Sequence, residues 1–78
     1  MEDVLSWNDA QLRYAINEMY ARGGYDFVKP EVRSVFLRMP WYRERIARGR
    51  TQDEAARQLS WLENRNLELL QKVRDQRH

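Results

Sequence analysis

The chain has no cysteine, one histidine, two prolines and three glycines in 78 residues. Without thiols it builds neither a disulfide framework nor a thiolate metal site, and its redox compartment is left open. The histidine is the terminal His78, and Ser6, Ser34 and Ser60 have no base at a recognisable spacing. No apolar run approaches the ~18 residues needed to span a bilayer, and no signal-peptide pattern opens the chain. These absences argue against an enzyme, a cofactor site and a metal site. They leave two settings: a cytosolic protein, or a module of a larger secreted or anchored one.

What is present is aromatic and arginine-rich. Three Trp, four Tyr and two Phe are the main source of buried area, since each ring removes roughly 150–250 Å² from water. They matter because a chain this short buries only about 60% of its unfolded surface. Residues 1–40 carry five basic and six acidic side chains, residues 41–78 nine and six, so the second half is mildly basic. Most arginines have an acidic neighbour, which favours a solvated, salt-bridged face over an anion-binding surface.

The apolar pattern predicts an all-α, three-helix domain covering 1–78. Asn8 and Gln11 form a capping box with a Trp7–Leu12 staple. Leu12, Ile16, Met19 and Tyr20 share a face that ends at Gly23-Gly24, so the first helix spans 9–22. This glycine pair follows a helix instead of leading into one, which excludes a phosphate loop. Pro30 opens a second helix over 30–39, and Pro40 closes it by disfavouring helical geometry at Met39, throwing Trp41-Tyr42 across the neighbouring helices. Thr51-Gln52-Asp53-Glu54 caps a third helix over 51–75. Two signals conflict near Ser60: the repeat Ala55, Leu59, Leu62, Asn66, Leu69, Val73 runs through it unbroken, yet Ser60-Trp61-Leu62-Glu63 reads as a second start.

In these residues the chain resembles the YARHG domain family. The segment Asn17 to Arg22 with Gly24 and Phe27 resembles its signature. Phe36 with Pro40-Trp41-Tyr42 resembles its second block, and Leu59-Ser60 with Glu63, Asn66 and Leu69-Leu70 its last helix. Gly23 stands where the signature has histidine, and the arginine-rich stretch between Tyr42 and Leu59 is less typical, so the third helix is expected to start early. The resemblance implies a small helical module of bacterial envelope or secreted proteins, with no established activity, enzyme or cofactor.

Several side chains are candidates for contact. Arg22 can pair with Glu18 or Glu63, a structural role. Asn66, at the centre of the seam, needs partners in the loop after Gly24 or in backbone near Trp41, or else sets register in a dimer. Tyr14 and Trp61 lie nearly opposite their helices' apolar stripes, where they face a partner or glycan; alternatively Trp61 packs on Val4-Leu5 or the 43–50 loop. Arg43, Arg45, Arg48 and Arg50 beside Trp41 and Tyr42 form the pattern that single-stranded nucleic acid exploits, although Glu44 interrupts it. The expected function is a non-catalytic binding module for protein or cell-wall polymer, extracytoplasmic, monomeric or weakly dimeric. A weak nucleic-acid binder or a structural, dimerising element are the alternatives.

Overall fold

The structure, a computed structural model, describes residues 6–77. Among them are five helices and no strand: α1 Asp9–Arg22, α2 Pro30–Leu37, α3 Pro40–Arg45, α4 Gln52–Arg57 and α5 Trp61–Arg77. The all-α class holds, with five helices in place of three. His78, Val4 and Leu5 lie outside the described residues.

α1 has the expected bounds. The Asn8 side chain accepts from the Gln11 N–H, and the Gln11 side chain accepts from the Asn8 N–H, each at 2.8 Å. At the other end Gly24 takes φ +82°, its N–H donates to the Ala21 carbonyl at 2.9 Å, and the Tyr25 N–H reaches back to the Tyr20 carbonyl at 3.1 Å. This is a Schellman cap, which needs a left-handed residue and satisfies carbonyls that the helix leaves open. Gly23 is needed for a different reason. A Cβ there would overlap the Ala55 carbonyl oxygen and lie 2.6 Å from its carbon, because the backbone of α4 rests directly on the end of α1. The position where the signature has histidine thus has no room for a side chain with α4 so seated.

Two boundaries depart from expectation. α2 stops at Leu37, two residues early, and Met39 is extended (φ −96°, ψ 120°) as the residue before proline prefers. Pro40 then serves as the first residue of α3, so Trp41 and Tyr42 sit on a short helix of their own. The expected long third helix is two helices. Ser60 accepts from the Glu63 N–H at 3.1 Å while the Glu63 carboxylate accepts from the Ser60 N–H at 2.9 Å, a capping box that starts α5 anew.

The core has two lobes joined by Tyr20. One packs Leu12 and Ile16 against Leu59, Leu67, Leu70 and Val73, with Trp7 against it. The other is aromatic: Phe27 stacks on Phe36 at 5.2 Å between centroids, and Tyr42, fully buried, lies 5.9 Å from both. The Tyr42 hydroxyl donates to the Tyr25 carbonyl at 2.6 Å, and burial pushes its pKa above the ordinary value of 10.0. Asp26 fastens the 46–50 loop to this lobe, accepting from the Gly49 N–H at 2.9 Å and pairing with Arg33.

Candidate partner-binding face

The restart at Ser60 decides which face of α5 is buried. Because Ala55 belongs to α4 and Leu59 to the link after it, α5 is free to rotate and buries Leu67, Leu70 and Val73. Leu62 and Leu69, expected in the seam, are 61% and 42% exposed. Asn66 is half-buried, and neither of its expected partners bonds it. The amide that does bridge the break is Asn64, donating to the Ala56 carbonyl at 3.0 Å, with longer contacts to Leu59 and Ser60. Its signal in the sequence was position: once α4 ends before the Ser60 restart, its open carbonyls need a donor, and Asn64 lies in the first turn of α5.

α1 and α5 enclose an open groove of about 600 Å³ whose apolar wall is Trp7, Tyr14, Ala15, Met19 and Leu70, with Asn66, four residues from Leu62 and three from Leu69, on its edge. Tyr14 is 43% exposed yet stacked on Phe36 at 5.6 Å, so one ring face is spent on the core and the rim is free. Trp61 is 77% exposed, so it is not buried against the 43–50 loop, and the other segment offered for it, Val4-Leu5, lies outside the described residues; the Arg65 guanidinium lies 5.8 Å from its ring centroid.

The arginine patch is taken apart by the fold. Arg45 and Arg50 donate to the Arg22 and Gly23 carbonyls at 3.3 and 2.8 Å and so finish the C-terminus of α1, while Arg43 donates to the Leu37 carbonyl at 2.7 Å. Arg48 alone of the four is exposed with no hydrogen bond or ion pair among the described residues. Tyr42 is sealed in the core and Trp41 half-buried edge-on to Phe36, so no ring is offered for stacking beside those cations.

The remaining signature residues form the junction. Arg22 pairs with both expected partners, Glu18 at 3.1 Å and Glu63 at 3.9 Å, and lies 6.0 Å from the Trp41 ring. Its side chain is 45% exposed, so these are surface pairs worth at most about 1 kcal/mol. The Ser60 N–H and hydroxyl, with Arg22 and Arg45 adding to them, hold the Glu63 carboxyl below the usual carboxylate range. Tyr20, half-buried, accepts from the Gln71 side chain at 2.7 Å.

A family model for the YARHG domain matches residues 2–75. The chain belongs to the YARHG domain family. No curated protein and no solved structure matches it. In this YARHG domain Tyr20, Ala21, Arg22, Gly24 and Phe27 are the joint itself, and Pro40-Trp41-Tyr42 the wedge beside it. No helix among the described residues is long and apolar enough to cross a membrane.

Proposed function

We propose that this YARHG domain is a non-catalytic interaction module that docks a protein partner on the α1/α5 face, within an extracytoplasmic bacterial protein. The observation that carries this reading is the outward row of Leu62 and Leu69 on either side of Asn66, which edges an apolar groove, with Trp61 exposed on the same helix. Three large apolar side chains on one helix lose free energy to water, and covering them returns roughly 25 cal/mol per Å². Leucine and methionine suit an apolar protein surface better than a sugar, which is why protein is preferred to cell-wall polymer here. The extracytoplasmic setting rests on what the family resemblance implies. The nucleic-acid reading finds no support in the geometry, since its rings are in the core and three of its arginines bond backbone.

A photo-crosslinking residue at position 69 or 61 of the full-length protein, expressed in its own cells, should give a discrete adduct that is absent at position 48 and lost on Leu62→Glu. Failure to form any position-dependent adduct in a folded sample would remove the proposal. Co-sedimentation with purified cell wall, if abolished by Leu62→Glu, would assign the face to polymer. The row Leu62, Asn66, Leu69 also has the four-three spacing of a dimer seam. Sedimentation at several concentrations separates a second copy from a different protein.

A further inference from the structure

The α1/α5 seam has a second flank, unlike the groove. There a more enclosed cavity of about 210 Å³ is lined by Arg13, Asn17, Tyr20, Gln52, Gln71 and Arg74, above Ile16, and no carboxylate lines it. The Arg13 side chain makes no ion pair or hydrogen bond among the described residues, and Asn17, half-buried, makes no side-chain hydrogen bond there. The bond of Arg74 to Asp75, at 3.1 Å, uses Nε and leaves both terminal amino groups. Tyr20 accepts from Gln71, so its own hydroxyl hydrogen is still to be donated.

The lining is therefore one of donors, two guanidiniums, a phenol and amides, and the one carboxylate bonded to them, Asp75, engages Arg74 through Nε. Guanidinium forks match the paired oxygens of carboxylate and phosphate groups. Half-buried amide and phenol groups gain most from an acceptor that brings charge. The volume is below the ~300–1,000 Å³ of a drug-sized site, which admits a small charged group and not a nucleotide. We propose that this cavity binds a single oxyanion, a phosphate or a carboxylate group, gripped by Arg13 and Arg74 and oriented by Asn17 and Tyr20. The site goes beyond the docking reading and does not depend on it, because the two use opposite flanks of the seam.

The test is a nitrogen-15 NMR titration of the full chain with inorganic phosphate and, separately, with acetate, each against sodium chloride at equal ionic strength and pH. Saturable shifts at Arg13, Asn17, Tyr20 and Arg74 are expected, weakened at least tenfold in Arg13→Gln and in Arg74→Gln. Saturation by phosphate alone would name a phosphate group as the ligand, and saturation by acetate alone a carboxylate. Shifts equal to those in chloride, or unmoved by both substitutions, would overturn the site. Both arginines are on the surface, so the variants should keep the helical circular dichroism of the parent, and an unfolded Arg74→Gln would leave Arg13→Gln to decide.

Discussion

The three glycines offer a way to weigh steric fit against backbone conformation within one small protein. Gly49 has φ +78° and open space where a Cβ would go, so Gly49→Ala meets the left-handed penalty alone, roughly 1–2 kcal/mol. Gly23 has φ −82°, which alanine adopts freely, but its Cβ would strike the Ala55 backbone. Gly23→Ala should therefore cost about 1–3 kcal/mol as overpacking, reduced by the ~0.4–1 kcal/mol that alanine takes from unfolded-state entropy. Gly24 combines both, with φ +82° and overlap with the Arg45 carbonyl oxygen, so Gly24→Ala should be the worst, at about 2–5 kcal/mol. Against a total of about 4–12 kcal/mol for 78 residues, that is a large share. Urea denaturation followed by circular dichroism measures all three. A Gly23→Ala protein as stable as the parent would refute the direct seating of α4 on α1, because no other cost of that substitution is available.

Tyr42→Phe should lose about 1–3 kcal/mol, since the Tyr25 carbonyl is left without its donor, and thermal melts of a domain this size should fall by about 4–8 °C per kcal/mol. The Tyr42 pKa is raised by burial, so its contribution is intact below pH 10.0 and declines as pH climbs through the folded value; Tyr42→Phe should flatten that alkaline slope. The Glu63 pKa is lowered, so its contribution is present above the ordinary 4.5 and disappears as pH falls through the folded value; Glu63→Gln should weaken the acid dependence of unfolding. Ser60→Ala should cost about 0.5–2 kcal/mol in chemical denaturation, whereas the same change at an exposed residue within a continuous helix would cost little.

Much of this was legible because local chemistry leaves few choices. Asn8 with Gln11 starts α1, the glycine pair ends it, and the aromatic residues around Tyr42 had nowhere else to be buried. The pairing of Arg22 with Glu18 and Glu63 followed from spacing and from the end of α1. The break at Ser60 was harder, because the apolar repeat that argued for one helix is real but belongs to two. Ala55 on α4 and Leu59 in the link after it face the core, while Leu62 and Leu69, in phase with them by count, face outward after the chain restarts. The arginine stretch misled for a similar reason: composition suggested a surface, while Arg45 and Arg50 are taken up by carbonyls 23 and 27 residues away. The polar cavity was invisible, since Arg13 and Arg74 come to line one cavity only through the packing of α1 on α5.

Solvent paramagnetic relaxation of the leucine methyl groups tests the central claim most directly, because a restarted α5 and a continuous helix turn different leucines outward. With a soluble gadolinium chelate the Leu62 and Leu69 methyls should relax strongly while Leu67 and Leu70 stay protected. Protection of Leu62 and Leu69 with exposure of Leu67 in the monomer would show a helix unbroken at Ser60, and the proposed docking face would not exist.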